Sequence, residues 1–494
     1  MNSPTRLLGI SLLAITSLLV PSAQAVTLLY FNDAHEIAPV DEGVRGGMAR
    51  VAGLIAAERA AGEPVLVLFG GDLAGGTLFG LMRGEPIVEV LNRIGVDVAT
   101  FGQHEFDHGV DQARRLVEQS TFPWVTSNLV ETDGTPFHGL ERYRVLEVDE
   151  LRIGVFGITT AMHTTLHEGK VLENDVVAAA RSAVAALQES NVDLIVALTQ
   201  QRPDEDLDMI RQVPGIDLVF GEEVSETRSQ IDFEGGTYLA RSAGNVSSLI
   251  RAQWTGPGSD NWQLSVIGVD GNAPEDPEIA RLSDHYSAKL AQQLAAPVRK
   301  LAEPWQLPRQ AVRSQETRLG HFVAEAYRVA MDSDIGFATA GGLRADLAGQ
   351  PPAITVADLA AVLPFDNRLV RLRISGAELR DLMEQALAEH PAPRNAFPLI
   401  SGLVIHFDGD AAPGSRVRSL VQAGRVIEPD QILTLSTTLF LAEGGDGYQF
   451  LTSLEREEVG PPDREALATF LAGLDHWPPK SSLEPALIPT TDAP

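Results

Sequence analysis

From Val26 to about Val269 the sequence repeats one theme: a short β-rich apolar run, a polar residue where the run ends, then an alanine-rich stretch of helical character. Such alternation commits a chain to layered α/β architecture. The runs fall at 27–31, 65–69, 96–101, 124–126, 153–158, 194–198 and 218–220. Many of them end in groups that ligate metals or move protons: Asp33 with His35, Asp72, Gln103 with His104, Gln200 and Glu223. Ligands of open α/β sheets bind at the carboxyl ends of the strands, so these groups are predicted to face one crevice.

Residues Met1–Ala25 carry an early cation at Arg6, an apolar run from Leu7 to Val20 and an Ala23-Gln24-Ala25 step, the pattern of a cleaved signal peptide. The apolar run falls short of the roughly 20 residues that span a bilayer, so no membrane anchor is predicted. Residues 26–494 form a stretch long enough to split into two domains. The chain contains no cysteine. A soluble periplasmic or secreted monomer is expected. With 38 Lys and Arg against 67 Asp and Glu, a net charge of −29, and no basic run, a nucleic acid polymer is an unsuitable partner.

The stretch 276–300 reads as a helix that links the domains, and Pro304 and Pro308 follow it. A second domain is predicted over 301–475. The remainder, 476–494, is rich in Pro, Ser and Thr without periodicity and reads as a flexible tail.

Three segments of the first domain carry chemistry. Asn32-Asp33-Ala34-His35 sets a carboxylate and an imidazole two residues apart at a strand end. Gly70-Gly71-Asp72 adds a carboxylate on a tight glycine turn, and Gly102-Gln103-His104-Glu105-Phe106-Asp107 adds an amide, an imidazole and another carboxylate. In this order and spacing the chain resembles the metallophosphoesterases, and the 5′-nucleotidases in particular, whose pattern is Asp-x-His, Gly-Gly-Asp, then Gly-Asn-His-Glu-Phe-Asp. The resemblance implies an α/β fold, a metallophosphoesterase β-sandwich flanked by helices over 26–275 and then a smaller α/β nucleotide-binding domain. It implies that Asp33 and His35 bind one divalent ion, that Asp72 bridges two, that Gln103 binds the second, and that His104, oriented by Asp107, stabilises the transferring phosphoryl group. Two cations clamping a phosphate and acidifying a water would supply the hydrolysis.

The departures from that pattern are as informative as the matches. Gln103 stands for the family's Asn; Gln200, in Leu198-Thr199-Gln200, stands for a histidine. Gly221-Glu222-Glu223-Val224-Ser225 replaces Gly-His-x-His, which puts Glu223 and Ser225 where two histidines would be. Two readings stay open. Either an oxygen-rich site survives and favours Mn²⁺ or Mg²⁺ over Zn²⁺, or the domain is a degenerate scaffold. His163 and His167, four residues apart, are candidate replacement ligands, although solvent-facing loop residues are the commoner outcome.

In the second half, Ala340-Gly341-Gly342-Leu343-Arg344, Leu363-Pro364-Phe365-Asp366-Asn367, Ala396-Phe397-Pro398 and Phe440-Leu441-Ala442-Glu443-Gly444-Gly445-Asp446 follow the order of the family's substrate-binding domain. The resemblance assigns Arg344 to phosphate oxygens, Phe397 and Phe440 to the two faces of a base, Asp446 to ribose hydroxyls and Asn367 to the base edge. The implied substrate is a small nucleotide, hydrolysed from nucleoside 5′-monophosphate to nucleoside plus phosphate. The rival is a non-catalytic nucleotide-binding protein that has lost the metal pair.

Overall fold

The computed structural model describes residues 25–476 and 486–490, apart from Gly76, His163, Thr164, Leu166, Glu168 and Asp366. The signal-peptide pattern and the His163 half of the histidine pair therefore lie outside the described residues.

The first domain is a sandwich of two sheets with helices on the outer faces. One sheet has the order Trp262–Gly268, Ser248–Trp254, Val26–Phe31, Val65–Phe69, Val98–Ala99. The other runs Gln230–Glu234, Thr237–Arg241, Leu218–Gly221, Leu194–Gln200, Leu151–Thr159, Tyr143–Val148. Five of the seven apolar runs are explained by this layering. Leu28, Tyr30, Leu66 and Leu68 meet Ile153, Val196, Leu198 and Phe220 between the sheets, and Tyr30 stacks on Phe220 with ring centroids 4.5 Å apart. The alternate residues Leu29, Phe31, Val67 and Phe69 pack outward against helices that include Met48–Ala60 and Glu85–Ile94. Strands buried on both faces leave no polar alternation for a reader to find.

Two of the predicted runs are mostly not strand. Of 96–101 only Val98–Ala99 pairs in the sheet, and 124–126 contributes single bridges from Trp124 and Val125. Both segments sit where the chain turns away from the sheet toward the crevice, and Thr100 Oγ1 donates to the Val125 carbonyl to hold them together.

The helix predicted over 276–300 is Pro277–Leu294, capped by Asp276, whose carboxylate accepts from the backbone N–H groups of Glu278 and Ile279. It is no free-standing connector: Ile279, Ala280, Leu282, Tyr286 and Leu290 pack on the first domain's core. Pro297–Lys300 leaves the helix and forms a strand against Ala353–Thr355, since Pro297 removes a helical donor and Val298 favours extended backbone.

The second domain centres on the sheet Pro398–Ser401, Ile335–Thr339, Ile432–Thr438, Arg368–Ser375, Arg456–Pro462. Arg318–Ala330, Gly376–Ala386 and Asp463–Gly473 are its longer helices. The predicted tail is corrected in part: Leu487–Pro489 pairs in parallel with Val404–Phe407, and the Glu316 carboxylate accepts from the N–H groups of Ala486 and Leu487. An apolar Ala486-Leu487-Ile488 triplet meeting an open sheet edge overrides the disorder-prone composition around it.

Candidate active site

Asp33 follows the strand Val26–Phe31 with φ 52°, and Asp72 follows Val65–Phe69 with φ 63°. Left-handed backbone at two non-glycine residues on adjacent strand ends is the kind of strain that collects at functional sites. Both carboxylates are almost fully buried. The Asp33 N–H donates to the Gly71 carbonyl at 3.0 Å, which ties the two turns together.

Gly102 shows why the third turn must carry glycine: a Cβ there would lie 1.9 Å from Asp72 Oδ1. With that space open, the His104 N–H donates to Asp72 Oδ1 at 2.8 Å. Glu105, which sequence reading left without a role, binds the Leu73 and Gly102 N–H groups at 3.0 and 2.7 Å and thereby locks the second and third turns in register. His104 Nδ1 meets Asp107 Oδ2 at 2.7 Å. Burial pulls the His104 imidazole down, but Asp107 and Asp72 outweigh it and raise the imidazole to about 10. His104 is therefore an imidazolium at neutral pH. Burial and the neighbouring His104 charge push His35 down to about 3, so His35 is neutral.

Around this dyad the structure brings together Asp33, His35, Asp72 and Glu223. His35 Nε2 lies 3.5 Å from Asp33 Oδ1, and the His35 and His104 rings are 5.2 Å apart, edge to face. Burial and then the negative charge of Glu223 raise Asp33 well above the carboxylate range, with Asp72 adding to it; burial raises Asp72 to about 6. Gln200 closes the strand Leu194–Gln200, and Gln103 opens the short turn His104–Phe106 half-buried.

Among the described residues, no group of three or more His, Asp and Glu side chains is placed as a ready-made metal cage. The donor set nevertheless suits a hard divalent ion. Asp33 Oδ2, His35 Nδ1, Gln200 Nε2 and Glu223 Oε2 are all buried without a hydrogen-bond partner. Crowded carboxylates beside a neutral imidazole are what a cation would relieve. Gln200 presents an oxygen to it if its amide is turned over. Ser225 lies outside the set, its hydroxyl turned to Thr227.

In the second domain a cavity of about 270 Å³ is lined by Arg344, Phe365, Asn367, Phe440 and Asp446 among others. Thr339 Oγ1 donates to Asp446 Oδ2 at 2.7 Å and fixes that carboxylate at the rim. Phe397 does not line the cavity. It is 1% exposed and packs in the core with Leu399 and Val323, its carbonyl accepting from the Ala340 N–H. Phe365 lines the cavity instead, together with Phe440: Phe365 is 47% exposed and Phe440 50%, and the Arg344 guanidinium carbon lies 5.5 Å from the Phe365 ring centroid. Asn395 and the adjoining cavity lined by Arg309, Arg313 and Arg344 were also missed. Three arginines at 309, 313 and 344 are hard to see as a group when they are spread over 36 positions.

One second-domain residue lies near enough to the dyad to act on it. Arg368, which opens the strand Arg368–Ser375 beside Asn367, acts with His104 to hold the Asp107 carboxyl below its ordinary range against the opposing effect of burial.

Residues 295–453 match the family described as the 5′-nucleotidase C-terminal domain. The chain is 27% identical over 494 aligned positions to the trifunctional nucleotide phosphoesterase YfkN of Bacillus subtilis, covering 89% of this chain and 33% of that protein. It is 26% identical to a snake venom 5′-nucleotidase of Gloydius brevicauda, covering 86% of this chain and 82% of that one. The structure of a 5′-nucleotidase precursor from Thermus thermophilus superposes with a TM-score of 0.60 at 22% identity, covering 95% of this chain and all of the other. Residues 295–453 thus carry a 5′-nucleotidase C-terminal domain, and the chain as a whole is similar to 5′-nucleotidases. Three of the four residues that depart from the resembled pattern, Gln200, Glu223 and Ser225, end or follow two neighbouring strands of one sheet, Leu194–Gln200 and Leu218–Gly221. The chain spans only a third of the Bacillus protein's length.

Proposed function

We propose that the protein is a metal-dependent phosphohydrolase acting on small nucleotides, releasing phosphate from nucleoside 5′-monophosphates after export from the cytoplasm. The observation that carries this reading is the convergence of the His104–Asp107 dyad with Asp33, His35, Asp72 and Glu223 at the strand ends. Asp33, His35, Asp72 and Glu223, with Gln103 and Gln200, would hold Mn²⁺ or Mg²⁺. Such an ion polarises a phosphoryl oxygen and lowers the pKa of a bound water. The chain's own contribution is the His104 imidazolium, which neutralises charge on the phosphoryl oxygens as it builds up. Asp107 keeps that imidazole charged and fixes its orientation. In the second domain, Phe365 and Phe440 would stack on the base, Arg344 would take phosphate oxygens with its planar fork, and Asp446 would accept from ribose hydroxyls.

One observation favours a second reading, nucleotide binding without turnover: the absence, among the described residues, of a ready-made cage of His, Asp and Glu. A panel of nucleoside 5′-monophosphates assayed with Mn²⁺, Mg²⁺ and Zn²⁺ separates the two. We expect phosphate release with Mn²⁺ or Mg²⁺, and a fall of about 10²–10³ in turnover for His104→Ala. An inactive wild type beside an active Gln103→Asn, Gln200→His, Glu223→His, Ser225→His variant would establish the second reading.

A further inference from the structure

Behind the strand ends that carry the altered residues lies a buried ion pair that the chemistry above does not use. Asp206 and Arg241 are both fully buried, and Arg241 Nη2 donates to Asp206 Oδ2 at 2.8 Å. The other carboxylate oxygen, Asp206 Oδ1, accepts from Thr199 Oγ1 and from Gln201 Nε2, each at 2.7 Å. Those two residues flank Gln200. Side chains alternate along a strand, so Thr199 is held on the side opposite Gln200, and gripping it fixes where Gln200 faces.

The same pair supports the neighbouring strand end. Thr199 Oγ1 lies 3.4 Å from the Phe220 carbonyl, and a Cβ added at Gly221 would be 2.7 Å from Asp206 Oδ2 and 3.1 Å from Arg241 Nε. Gly221 thus rests directly on the ion pair and leads into Glu222 and Glu223. From the far side Tyr30 Oη donates to the Gly221 carbonyl at 3.0 Å. Ser242, next after Arg241, donates to the side chain of Asn32, the residue before Asp33.

We propose that Asp206 and Arg241 are positioning residues, a buried ion pair that sets from behind the two strand ends presenting Gln200 and Glu222–Glu223. Two considerations separate this from ordinary core stabilisation. A buried ion pair is a poor stabiliser, since an apolar pair of the same volume often does as well. Moreover, Asp206 spends its hydrogen-bonding capacity on Arg241 and on the two side chains flanking Gln200. The consequence for ion binding rests on the proposed function; the positioning itself does not.

The test uses the full chain with Asp206→Leu and Arg241→Met together, which removes the charges but keeps the space filled. Backbone hydrogen exchange is read in peptides covering 198–203 and 219–226, beside the melting temperature and calorimetric titration with Mn²⁺. We expect a melting temperature close to wild type, faster exchange confined to those two peptides, and Mn²⁺ affinity weakened roughly 10–100-fold, as when a ligand's outer support is lost. Unchanged exchange, or faster exchange with unchanged Mn²⁺ affinity, overturns the proposal. If wild type takes up no Mn²⁺, the metal reading fails and exchange alone decides: local loosening upholds positioning and its absence refutes it. Should the double variant fail to fold, Arg241→Lys, which keeps the charge without the planar fork, must loosen the same peptides while staying folded.

Discussion

His104 Nδ1 and Asp107 Oδ2 stand 2.7 Å apart, three residues from each other in sequence and at the mouth of a crevice walled by carboxylates. Because Asp107 and Asp72 raise His104 to about 10 against burial, the folded state holds a proton that the unfolded chain releases near 6.5. That contribution to stability is complete below about pH 6.5 and is lost as pH rises through about 10. Asp107, held low by His104, contributes above its ordinary range near 3.8 and is lost on acidification. Urea unfolding at about pH 7, 8.5 and 10 should show wild type losing stability toward the alkaline end and Asp107→Asn losing less. Parallel losses in the two proteins would mean the pair is not coupled.

Gly75 is the floor of the dyad. A Cβ there would come 2.1 Å from Asp107 Oδ2 and 2.7 Å from His104 Nδ1. Gly75→Ala should lower turnover by about 10²-fold, the scale of a 1 Å misplacement, with little change in melting temperature. Gly271→Ala, where the added methyl meets nothing within 4 Å, is the matched control and should behave as wild type.

The three phenylalanines should separate by assay. Phe365→Ala and Phe440→Ala should each weaken adenosine binding by about 1–3 kcal/mol and barely move the unfolding midpoint. Phe397→Ala empties a core position and should cost about 3–5 kcal/mol of stability. Calorimetry beside chemical denaturation reads both; a Phe397→Ala protein as stable as wild type would return that ring to the binding site.

Metal content gives an independent check. After dialysis against each ion, elemental analysis should find Mn²⁺ or Mg²⁺ retained in preference to Zn²⁺, because the donors are mainly oxygen. Asp72→Ala should remove the bound ion. Two tight equivalents of zinc would contradict the oxygen-donor assignment.

The first domain was readable because its strands are buried on both faces, so each appears as an unbroken apolar run, and because the turns of the site are local in sequence. Asp33, His35, Asp72, His104 and Asp107 needed no long-range information. Phe397 and Phe365 show the limit. Both sit next to a proline and both are aromatic, and only the packing of Val323 and Leu399 around one of them decides which is core. The Asp206–Arg241 pair was invisible for a related reason, since 35 positions separate residues that touch. The helix Pro277–Leu294 was legible as a helix, but its apolar stripe does not say which domain it covers.

The short strand Leu487–Pro489 shields the outer strand Val404–Phe407, whose backbone groups would otherwise face solvent along one side. A chain cut after His476 would still contain every residue of the two centres. It would also present an unpaired β edge, with Glu316 stripped of its two amide partners, and such an edge recruits the edge of another copy. Shortening the protein at that point should therefore leave catalysis intact and make its solubility depend on concentration.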